Sequence, residues 1–324
     1  MEDKQIKNRI DYLDLAKAIG ITLVVLRHCG ISIGIFAMIH MPLFFIISGM
    51  FFKEGTTFVV LIKNKTNKLV IPWAFFYILG CLFFYVAASI EPDLKNNYFG
   101  FFDVFVHRAT FNYPIWYLLC LFWVFVMYFV ISKIISNQLL RTVVVIVLAL
   151  CGSLLGHLHI FLPCYIDTAL TSLLFFHIGY MMYAKTKVFT YNKKVDILIG
   201  LVLAAVTILA YLFINPKIWL ADNMINPLCF IFSTTGVFAL LFLIKHVKVS
   251  QSLLYIGKHS LVILCWHNFF QRTMQVLLNQ LNINTLYVSL GGGVFCCTMF
   301  LSILMIPLSL KLIPWFVGKK DIIK

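Results

Sequence analysis

Lys17 and His28 stand eleven positions apart in an apolar stretch that runs from Tyr12 to Cys29. At 3.6 residues per turn this is close to three turns, so both side chains project from nearly the same helix face, about 16 Å apart along the axis. Histidine is the side chain best suited to general-base work near neutral pH. At the end of such a stripe it can take the proton from a hydroxyl as that oxygen attacks an acyl carbon. Lysine offers a fixed positive charge to an anionic group. Asp14, one turn before Lys17, is placed to pair with it. Gly20 and Val24 separate the polar groups, so a long, thin ligand fits this face, with an anionic head at Lys17 and a reactive end at His28. A packed, hydrogen-bonded histidine is the structural alternative for His28. Arg27 projects about 100° away, either snorkelling to a lipid phosphate or holding an anionic substrate group.

The helix that must carry these residues has a bilayer-spanning length, and ionisable groups inside such a segment are costly enough to imply function. The rest of the chain is equally apolar. Of its 324 residues, 62% are hydrophobic and 12% charged, and mean hydropathy is +0.96, whereas a soluble domain is nearer half apolar and a quarter charged. An all-α integral membrane protein is expected, with residues 1–324 forming a single membrane-embedded domain. About ten spans of bilayer length can be counted, near residues 11–33, 38–53, 68–90, 113–133, 141–157, 164–184, 195–214, 224–245, 254–277 and 285–313. The last is interrupted by Pro307 and Pro314, where a kink or a bend onto the interface is expected.

The net charge of +14 does not indicate nucleic acid, because the basic residues are dispersed among short loops. They alternate by side. The amino terminus carries Lys4, Lys7 and Arg9, and the loop after the second span carries Lys53, Lys63, Lys65 and Lys68. Later even-numbered loops carry Lys133 and Arg141, then Lys185, Lys187, Lys193 and Lys194, then Lys245, Lys248 and Lys258, and the tail carries Lys311, Lys319, Lys320 and Lys324. This bias predicts that both termini are cytoplasmic in a multi-pass protein of the cell (plasma or inner) membrane. The aromatic outer loop 91–112 reads as an interfacial helix. No cleavable signal peptide or internal repeat is evident. The nine cysteines lie mostly in apolar runs and imply neither disulfides nor a metal site.

Longer motifs reinforce the first helix. The run Tyr12-Leu-Asp-Leu-Ala-Lys-Ala-Ile-Gly…Val-Val-Leu-Arg-His28 resembles the first helix of the membrane acyltransferase-3 family, which includes fucose 4-O-acetylase-like enzymes and O-acetyltransferases of cell-surface sugars. The family hallmark is a basic residue, ten intervening residues and a histidine. Arginine is usual at the first position; Lys17 keeps the charge without the planar fork. Met41-Pro-Leu-Phe-Phe-Ile-Ile-Ser-Gly-Met-Phe-Phe52, Lys68-Leu-Val-Ile-Pro-Trp73, Pro114-Ile-Trp-Tyr-Leu118, Phe175-Phe-His-Ile-Gly-Tyr180 and Ile256-Gly-Lys-His-Ser-Leu…Trp-His267 resemble later family helices in order. The resemblance implies a ten-span core, acyl-CoA as a cytoplasmic co-substrate with no bound cofactor, and often a glycan acceptor. It also implies a catalytic role for His28 and a donor-side role for Lys17, with Asp14 and Lys68 as donor-binding or orienting neighbours.

Ser48, Trp116, His267 and Arg272 are further candidates for the acceptor side. Ser48, beside Gly49, suits helix packing, substrate hydrogen bonding or nucleophilic attack. Trp116 and Tyr117 suit an aromatic belt or sugar stacking. His267 can contact the acceptor or orient His28, or be a buried structural histidine. Arg272 either snorkels or grips an anionic acceptor. His157 and His159 lack a completing carboxylate or cysteine, so no metal is expected. Two classes of protein fit the whole. One is an acyl-CoA-dependent O-acyltransferase, acetyl or succinyl, acting on a surface glycan or its lipid-linked precursor. The other is a glycan flippase whose polar first helix lines a path. The sequence assigns no oligomeric state.

Overall fold

The computed structural model describes residues 2–31, 34–90, 111–184, 192–214, 218–220, 223–281 and 288–323. Apart from one small hairpin, the described elements are helical. They are α1 (Glu2–His28), α2 (Gly34–Met50), α3 (Phe58–Lys65), a π-helical turn (Thr66–Val70), α4 (Ile71–Ile90), α5 (Trp116–Ile134), α6 (Gln138–His157) and α7 (Ile166–Ala184). After these come α8 (Lys193–Ile214), β1 (Ile218–Trp219), β2 (Met224–Ile225), α9 (Leu228–Ile244), α10 (Gln251–Lys258), α11 (Ser260–Gln280) and α12 (Val288–Leu312). The antiparallel hairpin pairs Ile218 with Ile225 and Trp219 with Met224. The expected interfacial helix falls almost wholly within 91–110, outside the described residues.

Among the described residues, five segments are long and apolar enough to cross a membrane: Phe58–Ile90, Tyr113–Ile134, Gln138–His157, Lys193–Ile214 and Gly291–Leu312. Helices α2 and α9 are apolar but only 17 residues long. The protein is therefore a helical membrane protein with one small hairpin. α8 exposes Leu201, Val202, Leu209, Leu212 and Phe213, the apolar girdle a lipid-facing helix requires.

α1 is the opposite case. It packs against α2, α9, α10, α11 and α12, and Leu13, Ala16, Ala18, Ile21, Val24 and Val25 are almost fully buried. Other helices cover its sides, so Asp14, Lys17 and His28 need not face lipid. That resolves the cost of placing them in a helix of this length. Within a bilayer, close backbone approach drives helix association in place of the hydrophobic effect. α2 and α7 show this reciprocally: a methyl group at Gly49 would run into the Phe176 carbonyl, and one at Gly179 into that of Ile46.

Two expectations need correction. The apolar run 254–277 is two helices, because the backbone turns at His259 (φ −116°, ψ 20°). The His259 ring seals the break by bonding the Tyr255 carbonyl through Nδ1 at 2.8 Å. The last helix is not interrupted at Pro307: α12 continues through it and ends at Leu312, just before Pro314, the other expected interruption. Pro307 N replaces a single amide donor, and the flanking turns carry the helix past it.

Candidate active site

The cavity beside α1 has a volume of about 360 Å³. Its α1 wall is Lys17, Ile21 and Val24, successive positions on the stripe that continues to His28. Met41, Phe44, Ile47 and Ser48 of α2 face them, with Tyr117 and Leu121 of α5 alongside. At the Lys17 end the lining turns basic: Lys65 and Lys68, Lys258 and His259, and Lys319 join Lys17, and among the described residues no carboxylate lines the cavity. Five amino groups around one apolar slot make an anion funnel.

Local structure sets this arrangement. The π-helical turn at Thr66–Val70 shifts the helical register between Lys65 and Lys68, the kind of irregularity that collects at functional sites. Lys17 Nζ pairs with Asp14 Oδ1 at 2.5 Å, with Lys17 27% and Asp14 5% exposed. The Asp14 carbonyl lies against Gly257, where a methyl group would collide with it. The end of α10, and Lys258 with it, is thus pressed onto α1 beside the ion pair. Partial burial and the facing Lys17 charge, with a smaller contribution from Lys68, hold the Lys319 ammonium below the usual lysine range against an opposing Asp14.

The apolar end of the cavity stops at Val24 and Leu264. His28 lies four residues past Val24 and His267 three past Leu264, so each is about one turn, roughly 5 to 6 Å, further along. The two rings meet there, centroids 5.3 Å apart and inclined at 50°. His40, Arg27 and Arg272 lie within electrostatic reach of His28. His267 Nδ1 bonds the Ile263 carbonyl at 2.9 Å. A carbonyl only accepts, so Nδ1 carries the hydrogen and the neutral ring has a bare Nε2. That Nε2 is buried with no hydrogen-bond partner. Its neighbours are anchored: Trp266 donates to Ser309 Oγ at 2.9 Å and Asn268 to the Phe111 carbonyl at 2.7 Å. His40 is tied by Nδ1 to the Phe36 carbonyl at 2.7 Å.

The structure therefore brings Lys17, Asp14, Lys68 and Ser48 to or beside the cavity, and His28, His267, Arg27 and Arg272 to the cluster one turn beyond. Ser48 lies within reach of the Tyr117 hydroxyl, and both line the cavity. Trp116 is in neither group: it is 5% exposed and packs on Tyr165 at 5.9 Å between centroids. It does not form a lipid-facing belt with Tyr117, because the 3₁₀ turn Tyr113–Ile115 starts α5 inside the bundle. His177 is bonded on both ring nitrogens, to Tyr128 at 2.8 Å and Thr142 at 2.9 Å, as a structural histidine would be. His157 bonds the Ile225 carbonyl. No three potential metal ligands cluster among the described residues.

Sequence reasoning missed four cavity residues. Lys65 and Lys258 were visible only as loop charges, although each sits within a few residues of an apolar run. Lys319 was visible only as one charge of the basic tail. Tyr117 was grouped with Trp116 as an interfacial aromatic; its spacing from Leu121 and Phe125, one face of α5, was the available clue.

No curated protein and no solved structure matches the chain. The family model described as an acyltransferase domain, that of acyltransferase family 3, matches residues 10–306. That span takes in the Lys17–His28 stripe of α1, the cavity walls contributed by α2, α5 and α11, and most of α12, so the chain belongs to the membrane acyltransferase-3 family.

Proposed function

We propose that the protein is an integral membrane O-acyltransferase, with acyl-CoA as donor and a hydroxyl of a cell-surface glycan or its lipid-linked precursor as acceptor. The observation that carries this reading is the cavity itself, cationic at Lys17 and apolar toward His28. The nucleotide phosphates lie among Lys17, Lys65, Lys68 and Lys258. The pantetheine arm follows Ile21 and Val24, and its thioester reaches the two histidines past Val24 and Leu264. Acetyl is the acyl group of this reading, with succinyl the alternative within the same reaction.

His28 acts as general base. It takes the proton of the acceptor hydroxyl as that oxygen attacks the thioester carbonyl. The C–S bond breaks as the tetrahedral species collapses, and the imidazolium returns the proton to the departing CoA thiolate. His267, held as the Nδ1–H tautomer, offers its bare Nε2 to an N–H of His28 and so selects which His28 nitrogen faces the substrate. Arg27 and Arg272 are the nearest cations for a developing oxyanion or an anionic acceptor. Ser48, paired with Tyr117, orients the donor arm and does not become acylated.

The topology that goes with this reading has ten spans formed as one domain, both termini cytoplasmic, in the plasma or inner membrane. The basic end of the cavity then opens to the compartment that holds acyl-CoA. The experiment is direct: purified protein is mixed with acetyl-labelled acetyl-CoA, and bound label and released acetate are followed. Saturable binding with slow release supports the reading; absence of both contradicts it.

A further inference from the structure

The chain after α12 is built into the cavity. Phe316 stacks on Phe75 with centroids 4.2 Å apart, Val317 is 1% exposed, and Gly318 lies against the Lys68 backbone and Leu261. Beyond it, the Asn67 side chain clamps residues 322 and 323. Its Oδ1 accepts from Ile322 N at 2.9 Å and Ile323 N at 3.0 Å, and its Nδ2 donates to the Ile323 carbonyl at 2.9 Å. All three bonds span more than 250 residues of sequence, and Asn67 is 1% exposed. Asn67 belongs to the π-helical turn bordered by Lys65 and containing Lys68, so the strap is fastened to the element that presents two cavity lysines.

Two consecutive lysines on the strap have different fates. The amides of Lys319 and Lys320 both bond the Pro314 carbonyl, at 2.9 and 3.1 Å. Lys319 then turns into the cavity, whereas Lys320 extends over the Trp315 ring, 5.4 Å from its centroid. The strap lies beyond the family match, which ends at residue 306.

We propose that residues 313–323 are a fixed wall of the donor site, in which Lys319 binds the anionic end of the donor and Asn67 is the positioning residue that holds it there. This rests on the acyl-CoA reading of the cavity. A preorganised strap costs no loop ordering when the donor binds, and its amino group closes the cationic ring opposite Lys17.

The test is amine footprinting of the full chain with an acetylating ester, read by mass spectrometry with and without CoA. With CoA at ten times its Kd, labelling of Lys319 should fall about tenfold by mass action, while Lys320 is labelled equally in both samples. Asn67→Ala should abolish the protection of Lys319 and raise the donor KM with kcat little changed, at unaltered protection of Lys17. Protection of Lys17 and Lys68 without protection of Lys319 would overturn the strap proposal and leave the donor reading standing. Protection of none of the three would overturn both.

Discussion

Lys17 and Asp14 form an ion pair at 2.5 Å in which the carboxylate is buried and the ammonium stays partly open to the cavity. The carboxylate thus fixes the position of the amine without competing for the ligand from the cavity wall. Lys17→Ala should raise the donor KM about tenfold, the scale of one hydrogen bond to a charged group, with kcat changed by less than about threefold. Lys17→Arg should restore most of the affinity. Initial rates across acetyl-CoA concentrations measure both, and an unchanged KM in the alanine variant would remove Lys17 from the site.

Gly257 is the contact point between α10 and the Asp14 carbonyl. Gly257→Ala should force α10 off α1, costing about 1–3 kcal/mol as overpacking does elsewhere. Thermal unfolding in detergent should show the loss, with weaker CoA binding because Lys258 moves with the helix.

His267 is fixed as the Nδ1–H tautomer and holds a bare, buried Nε2 beside His28. His267→Ala should lower kcat by about 10²-fold, the low end of what a positioned proton-transfer group contributes, while CoA binding stays within twofold. A loss of CoA binding instead would make His267 part of the donor pocket.

The alkaline limb of donor binding should carry the signature of Lys319. Its ammonium faces Lys17 and Lys68, with His259 and Asp14 also in range, and is held below the usual lysine range. A base with a lowered pKa is charged below that value and loses its charge as pH rises through it. The donor KM should therefore begin to climb at a lower pH than an ordinary lysine allows. Lys319→Arg should flatten this early rise, since guanidinium stays charged throughout.

Much of this site was legible in the sequence. The shared face of Lys17 and His28, with Val24 between them, follows from helical periodicity alone, and the cost of charge in a bilayer singles out α1 as the candidate; Ile21 joins that face only in the structure. The break at His259 was not legible, because apolar residues continue on both sides and only the backbone turn separates α10 from α11. The basic ring was only half visible. Lys65, Lys258 and Lys319 come from three distant segments that tertiary packing brings together, and loop charge reports the side of a membrane, not which amine turns inward. Trp116 was misjudged because an aromatic at a helix start suits an interface equally well until a partner such as Tyr165 is seen to cover it.

The central claim is that His28 performs proton transfer on a donor held elsewhere in the cavity. The most direct measurement compares wild type with His28→Ala for release of labelled acetate from acetyl-CoA, with CoA binding followed on the same samples. The predicted result is a fall in release of about 10²- to 10⁴-fold with CoA affinity within twofold of wild type. Release at the wild-type rate from the alanine variant would contradict the account.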